Sequence, residues 1–270
     1  MIAVAVGLAL GAAVLHAAWN IRLKATDDPL RVAAVALPLG TALLTVPVGV
    51  AWAVSGRPGL SWTALALAAV SGLVELAYFH ALSAAYRRGD VSSVYPVARG
   101  TAPVLAALVG ILLLGERLAT VQVIGVVVLV AGIWLARPPA GGRRALAPAL
   151  LTGVLIATYT SIDRVGVRLG PFWLYAWAVF AITSLLLLPW ARRGRLAQAL
   201  PVGVLNIGAY GLALAALSLA PLALVAPLRE SGVVVVALWG VLRLGERQRA
   251  ALKLGGAAAV LAAAALLATG

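Results

Sequence analysis

Long apolar segments follow one another along the entire chain, interrupted only by short clusters of charged residues, glycine and proline. A helix needs about 20 apolar residues to cross the hydrocarbon core of a bilayer. The pattern predicts ten membrane-spanning helices, at residues 1–20, 31–54, 61–85, 91–114, 118–136, 145–168, 171–190, 197–219, 221–242 and 250–268. The connections between them are too short for a folded soluble domain. Basic residues follow the first segment rather than precede it, so we expect a membrane span there and not a cleaved signal peptide.

The composition agrees with this pattern. Of the 270 residues, 63% are hydrophobic and only 11% are charged, whereas a soluble domain carries about a quarter charged residues. The net charge of +13 therefore indicates contact with an anionic bilayer rather than with nucleic acid. The chain has no cysteine, which excludes thiol nucleophiles and thiolate metal sites. No motif for a cofactor, a metal or catalysis is present, so we expect no cofactor, no metal and no enzymatic activity.

A short pattern of residues repeats in the two halves of the chain. Gly-Glu-Arg at 115–117, after the fourth predicted span, recurs at 245–247 after the ninth. Pro96 and Pro227 precede these turns by similar distances, and Tyr78 and Tyr210 lie further upstream at corresponding positions. The matches keep one order at a nearly constant offset, which predicts a duplicated five-helix unit. We expect the Gly-Glu-Arg turns to fasten helix ends rather than to contact a ligand.

The duplication defines the expected domains: a first five-helix repeat at residues 1–137, a linker at 138–144 and a second repeat at 145–270. Because five is an odd number, the second repeat enters the membrane from the opposite side. The expected fold class is an all-α membrane protein with ten transmembrane helices, arranged as two inverted five-helix repeats around a central cavity. Inverted repeats of this kind are typical of secondary transporters.

Three further features point to one protein family. They are Leu-His-Ala-Ala-Trp-Asn at 15–20 with Lys24 behind it, the prolines of spans four and nine, and the Gly-Glu-Arg after each of these spans. On these residues the chain resembles the EamA-like branch of the drug/metabolite transporter superfamily. The resemblance implies ten helices around a cavity that opens alternately to the two sides, lined mainly by spans 1, 3, 4, 6, 8 and 9. Family members include exporters of amino acids and other small metabolites.

The basic residues are distributed unevenly between the two sides of the predicted bundle. Loops after odd-numbered spans hold 14 of them and the opposite side holds 4. The positive-inside rule therefore places the odd-numbered loops in the cytoplasm and both termini outside, in a multi-pass protein of the cell's inner (plasma) membrane. The family resemblance implies the opposite, with both termini inside.

Five ionisable residues lie inside predicted spans, where each costs about 2.5–3.5 kcal/mol on insertion scales and is a functional candidate for that reason. They are Glu75, Arg99, Asp163, Arg229 and Glu230. A guanidinium binds carboxylate or phosphate through two parallel hydrogen bonds, so Arg99 and Arg229 are candidates to bind an anionic group. Glu75 or Glu230 could bind an ammonium group. The alternative is structural pairing, of Arg99 with Glu75 and of Arg229 with Asp163 or Glu230, with Asp163 expected near a membrane face.

Uncharged residues complete the predicted substrate site. Trp19, Tyr78 and Tyr210 are expected to contact the apolar part of a substrate, and Asn206 lies in the same span as Tyr210. The predicted substrate-binding residues are Trp19, Glu75, Tyr78, Arg99, Asn206, Tyr210, Arg229 and Glu230.

Three residues are candidates for proton coupling: Glu75, His80 and Glu230. Histidine changes charge near neutral pH, and His80 lies close to Glu75 in the third span. For His80 and for His16 in the first span, the alternative is a hydrogen-bonded structural role.

The sequence thus favours a secondary transporter, an exporter of a small polar or zwitterionic metabolite such as an amino acid, acting by alternating access as a monomer or homodimer. A rival hypothesis is efflux of lipophilic cations, for which a lone membrane acid is more suitable than arginines. A rival from another class is a membrane-embedded lipid-handling enzyme, which would need a clustered set of acid, base or nucleophile that the sequence does not show.

Overall fold

The computed structural model describes residues 1–89, 91–136, 143–191, 196–232, 234–235 and 250–269, and these ranges contain no strand. The helices are α1 (Ile2–Lys24), α2 (Pro29–Val54), α3 (Trp62–Arg88), α4 (Val91–Leu112), α5 (Thr120–Ala136), α6 (Arg143–Gly166), α7 (Phe172–Leu187), α8 (Leu196–Leu219), α9 (Leu222–Glu230) and α10 (Ala250–Thr269). A 3-10 turn at Leu188–Trp190 extends α7. The described part of the chain is therefore all-helical.

The helices agree with the predicted spans except at the ninth, which was expected at 221–242. There α9 ends at Glu230. Pro227 has no N–H to donate to the preceding turn, and the N–H of Ser231 donates to the carbonyl of Leu228, three residues back, which tightens the backbone. Most of the remaining predicted span lies outside the described residues, as do linker residues 138–142 and the second Gly-Glu-Arg turn at 245–247.

The distribution of side chains suits a bilayer. Six of the described helices are long and apolar enough to cross a membrane: α1, α2, α3, α6, α8, and α7 with its 3-10 turn. Shorter apolar helices occupy residues 97–112, 120–132 and 254–267. Large apolar side chains such as Val46, Val54 and Leu113 lie exposed on the outside, whereas a few charged side chains are enclosed within the largely apolar bundle. An apolar outer surface with charged groups enclosed among the helices is the arrangement expected of a multi-pass membrane protein.

Helix packing relates the two halves of the chain. α5 packs on α10, α4 on α9 and α2 on α7. The other principal contacts come in three matched pairs. The α3–α6 contact matches α8–α1, the α4–α6 contact matches α9–α1, and the α2–α8 contact matches α7–α3. Exchanging each helix with the one five positions later leaves this set of contacts unchanged. The arrangement brings α1, α3, α4, α6, α8 and α9 together at the centre.

A close approach of two glycines fixes α2 against α8. A Cβ added at Gly40 would lie 3.0 Å from the carbonyl carbon and oxygen of Gly203, and one added at Gly203 would overlap the carbonyl of Ala36. Small residues allow this contact because helices in lipid associate through close packing. The contact holds in place the helix that carries Asn206 and Tyr210.

Candidate functional site

Two arginines converge on one carboxylate at the centre of the bundle. Arg99 on α4 donates from Nη1 to Oε2 of Glu230 at 2.6 Å, and Arg229 on α9 donates from Nε to Oε1 of the same residue at 3.0 Å. Arg99 is 2% exposed and Glu230 is 1% exposed, so this part of the bundle is closed to solvent. We call Arg99, Arg229 and Glu230 the arginine cluster. Because α4 packs on α9, residues far apart in sequence meet here.

Aromatic and imidazole groups surround the arginine cluster. Nη2 of Arg99 bonds to Nε2 of His16 on α1 and lies 3.4 Å from the hydroxyl of Tyr78 on α3. Arg229 lies 5.5 Å from the ring centre of Tyr159 on α6 and 3.4 Å from its hydroxyl. Each arginine thus has its own polar and aromatic neighbours in addition to the shared carboxylate.

A second polar group centres on Asp163 of α6, which is fully buried. Its carboxylate accepts hydrogen bonds from Tyr210 at 2.6 Å, Ser71 at 2.7 Å and Tyr175 at 3.1 Å. The three donors come from three different helices. The sequence predicted a structural or interfacial role for Asp163 near a membrane face; packing of α3, α7 and α8 encloses its carboxylate in hydrogen bonds three residues before the end of α6.

Glu75 lies next to Asp163 but has a different partner. It follows Ser71 by one helical turn on α3 and accepts a hydrogen bond from Thr183 of α7 at 3.0 Å. The charge of Asp163 acts on Glu75, and the charge of Arg229 acts on both. We call Glu75 and Asp163 the carboxyl pair. The alternative of structural pairing named Glu75 for Arg99 and Asp163 or Glu230 for Arg229. The structure pairs both arginines with Glu230, because α4 packs on α9.

A row of tyrosines connects the two polar groups. The ring centres of Tyr78 and Tyr159 are 5.7 Å apart, and those of Tyr159 and Tyr210 are 6.3 Å apart. Tyr78 contacts Arg99, and Tyr210 donates to Asp163. A ligand between the arginine cluster and the carboxyl pair would therefore meet opposite charges at its two ends and aromatic faces along its length.

The remaining predicted residues lie at different distances from this centre. Trp19 is buried on α1, with its ring centre 5.0 Å from that of His16. Asn206 is buried on α8, one turn before Tyr210. His80 lies apart: its Nδ1 bonds to the carbonyl of Leu76, and its ring packs against Trp190, 4.6 Å between centres. The structure therefore connects Trp19 to the arginine cluster through His16, carries Asn206 on the helix of Tyr210, and places His80 beside the 3-10 turn that follows α7.

Glu116 of the first Gly-Glu-Arg turn fastens helix ends, as expected. Its carboxylate accepts hydrogen bonds from the backbone N–H groups of Leu222 and Ala223, the first residues of α9. It also accepts one at 2.8 Å from Arg164, which donates in turn to the carbonyl of Leu217 near the end of α8. A carboxylate at a helix N-terminus satisfies unpaired donors and matches the helix dipole. Glu116 thus joins the α4–α5 turn to α6 and α9, and Arg164 extends the link to α8.

Sequence reasoning missed the hydroxyl residues that bind the carboxyl pair, namely Ser71, Tyr175 and Thr183. Each lies in an apolar helix and has no distinctive neighbour in sequence. One usable signal existed for Ser71, because it precedes Glu75 by one helical turn on the same face. Among the described residues, no group of three or more His, Asp or Glu could hold a metal ion.

The model of the EamA-like transporter family matches residues 3–137. A solved structure described only as "Crystal structure of protein" is similar with a TM-score of 0.70 at 18% identity, covering 97% of this chain and 95% of that chain. At such low identity the likeness shows the fold alone, and it extends over both halves. A search of curated proteins finds no match.

Proposed function

The chain belongs to the EamA-like transporter family, and from this premise we propose that it is a secondary transporter that exports a small polar or zwitterionic metabolite of the amino-acid type. Transport would proceed by alternating access between two inverted five-helix repeats. The exchange symmetry of the helix contacts supports this arrangement, since inverted repeats that rock against each other around a central site are typical of secondary transporters.

The observation that carries the proposal is the shared carboxylate of the arginine cluster. Arg99 and Arg229 occupy related places in the two halves and both donate to Glu230. Guanidinium groups recognise a carboxylate by such charge-assisted bonds. With two cations and one anion, the arginine cluster carries a surplus positive charge that suits a second carboxylate, supplied by the substrate.

Each part of the substrate has a proposed partner. Arg99 and Arg229 bind the carboxylate end. Glu75 of the carboxyl pair binds the ammonium end, with Glu230 as the alternative. Trp19, Tyr78 and Tyr210 contact the apolar part, and Asn206, one turn before Tyr210 on α8, adds a polar contact. Glu75, His80 and Glu230 are the candidates for the coupling proton.

Efflux of a lipophilic cation is the second candidate function. The observation that favours it is the carboxyl pair: Glu75 and Asp163 are buried, lie near Tyr175 and Tyr210, and have hydroxyl partners. An acidic site lined by aromatic rings suits a cation. Under this alternative the arginines are structural, and their conservative replacement would leave transport unchanged.

The test is transport in proteoliposomes after a thermal-shift screen of the purified protein against amino acids, organic acids and amines. Arg99→Lys and Arg229→Lys keep the charge and remove the two-pronged geometry. We expect each to lower uptake of an amino acid at least tenfold, and Arg31→Lys to serve as the matched control because Arg31 is exposed and pairs with Asp28 within one turn. Transport of amines alone, unaffected by both central variants, would establish the cation alternative instead.

A further inference from the structure

A cavity of about 260 Å³ lies where α6 ends, beside the α4–α5 turn. Its lining combines two arginines, one carboxylate and three apolar side chains: Leu114, Glu116, Arg164, Val165, Arg168 and Leu169. Beyond α6 the backbone continues to turn, since the N–H of Arg168 donates to the carbonyl of Val165. Arg164 and Arg168 are four residues apart, as are Val165 and Leu169, and this spacing makes side chains neighbours on a helical turn. We call this space the α6-end cavity.

The two arginines of the α6-end cavity have unused hydrogen-bond donors. Arg164 donates from Nε to Glu116 and from Nη1 to the carbonyl of Leu217, and its Nη2 has no partner among the described residues. Arg168 is exposed, and its side chain makes no hydrogen bond or ion pair within the described part of the chain. Glu116 balances one of the two positive charges, so one surplus positive charge remains. Guanidinium donors with surplus charge suit a phosphate or carboxylate group.

The α6-end cavity lies at one membrane face of the bundle. Glu116 and Arg164 join the α4–α5 turn to the end of α6, and a Cβ added at Gly170 would lie 2.9 Å from the side chain of Leu60 in the α2–α3 connection. This face is the one opposite the excess of basic residues, and it holds Arg57, Arg117, Arg164 and Arg168. The positive-inside rule explains the excess on the other face. It does not explain why two of the four arginines here share a cavity.

The apolar part of the cavity lining continues into the outer surface of the bundle. Leu114 directly follows Leu112 and Leu113, which are 72% and 77% exposed, and Val165 and Leu169 are also exposed. Trp62, at the start of α3 near the same face, is 88% exposed, and tryptophan is enriched at the level of the lipid headgroups. A ligand that carries only charge would leave these apolar side chains without a partner. A phospholipid has both a phosphate group and acyl chains.

We propose that the α6-end cavity binds the phosphate group of an anionic phospholipid. The phosphate oxygens accept hydrogen bonds from Arg168 and from Nη2 of Arg164, and an acyl chain lies along Leu114, Val165 and Leu169. A zwitterionic headgroup brings a cation that the surplus positive charge repels, so an anionic headgroup is preferred. The site is separate from the arginine cluster and the carboxyl pair, and lipid binding there does not depend on the identity of the transported substrate.

The experiment is native mass spectrometry of the delipidated full-length protein, titrated with dioleoylphosphatidylglycerol or dioleoylphosphatidylcholine. Arg168→Gln removes one charge and keeps most of the side-chain length. We expect it to bind phosphatidylglycerol about fivefold more weakly than the wild type, with the unfolding temperature of the lipid-free protein unchanged because Arg168 is exposed. Equal affinity of wild type and variant for phosphatidylglycerol would overturn the proposal. Equal affinity of the wild type for both lipids would also overturn it.

Arg117→Gln is the matched control. Arg117 is exposed next to Glu116 at the same face but does not line the α6-end cavity, so its replacement removes the same charge from outside the site. We expect its affinity for phosphatidylglycerol to equal that of the wild type. A loss as large as that of Arg168→Gln would mean that the whole charged face attracts the lipid, which would overturn a site in the cavity.

A further pair of measurements distinguishes a lipid headgroup from a free phosphate ion. Leu169→Ser keeps both arginines and removes part of the apolar lining, and we expect it to weaken phosphatidylglycerol binding about threefold. Inorganic phosphate should raise the unfolding temperature of the wild type less than phosphatidylglycerol does. A phosphate effect as large as the lipid effect, with lipid affinity unchanged in Leu169→Ser, would assign the cavity to a free anion and overturn the proposal.

Discussion

Glu230 lies between Arg99 and Arg229 and accepts a hydrogen bond from each, at 2.6 Å and 3.0 Å. Arg99 precedes Glu230 by 131 positions in the sequence. The three side chains join α4 to α9 across the centre of the bundle. A bound substrate that carries a carboxylate has to compete with Glu230 for the same donors or to share them.

Replacing Glu230 should destabilise the protein strongly. Glu230→Gln removes the charge that two buried guanidinium groups share, and breaking a buried ion pair costs about 3–5 kcal/mol. Thermal unfolding in detergent measures the effect. The control is Asp28→Asn, because Asp28 pairs with Arg31 at the surface, where such a pair contributes at most about 1 kcal/mol. Asparagine also keeps the N-cap that Asp28 provides to α2. Equal effects of the two variants would contradict the structural importance of Glu230.

A hydrogen bond donated to the carboxylate of Asp163 should stabilise the fold more than a hydrogen bond donated to a neutral acceptor. Tyr210→Phe removes a hydrogen bond to a carboxylate, worth about 1.5–3 kcal/mol. Tyr86→Phe removes one to the amide oxygen of Asn20, worth about 0.5–1.5 kcal/mol. Chemical unfolding of both variants tests the order. If Tyr86→Phe proves the more destabilising, the carboxylate is not the stronger acceptor in this bundle.

Loss of Glu116 should loosen one end of the bundle. Glu116→Ala leaves two N–H groups at the start of α9 and the side chain of Arg164 without this acceptor. Loss of a helix cap typically costs about 1 kcal/mol, and we expect somewhat more here because Arg164 also loses its charged partner. Hydrogen exchange at Leu222 and Ala223 should become faster. Arg117→Ala, at the exposed neighbouring position, should change neither stability nor exchange.

Close packing of α2 and α8 makes Gly203 intolerant of a side chain. A Cβ there would overlap the carbonyl of Ala36, and overpacking costs about 1–3 kcal/mol or more because the backbones must separate. Gly203→Ala should therefore lower the unfolding temperature. Gly211→Ala on the same helix meets nothing within 4 Å, so the greater helix propensity of alanine should leave stability unchanged or raise it by up to about 1 kcal/mol. Comparable losses for both would show that helical glycine itself, not its contact, is required.

The orientation in the membrane can be tested directly because the chain has no cysteine. The positive-inside rule predicts that the α1–α2 connection faces the cytoplasm and that the α2–α3 connection faces outward. Ala25→Cys and Ser55→Cys introduce thiols at exposed positions of these two connections. A membrane-impermeant maleimide added to intact cells should label Ser55→Cys and leave Ala25→Cys unlabelled until the cells are opened. The reverse pattern would favour the orientation implied by the family resemblance.

The sequence by itself determined the helices and the short set of buried charges. Unpaired backbone polar groups and charged side chains are costly in a bilayer. The length of each apolar segment therefore predicts a membrane span, and each ionisable residue within a span is a functional candidate. The same argument identified Glu75, Arg99, Arg229 and Glu230 before any contact was known. The sequence also indicated that the Gly-Glu-Arg turn of Glu116 fastens helix ends rather than contacting a ligand.

Only the tertiary structure decided which charge meets which. The sequence left open whether Arg99 pairs with Glu75, and the structure pairs it with Glu230. It also encloses the carboxylate of Asp163 among three hydroxyl donors from three other helices. The physical reason is that hydropathy depends on each segment alone, whereas ion pairs depend on which helices pack together. α4 packs on α9, and α3 packs on both α6 and α7. This packing depends on how small residues fit together along whole helices, and a single charged residue in the sequence does not show which helices will fit.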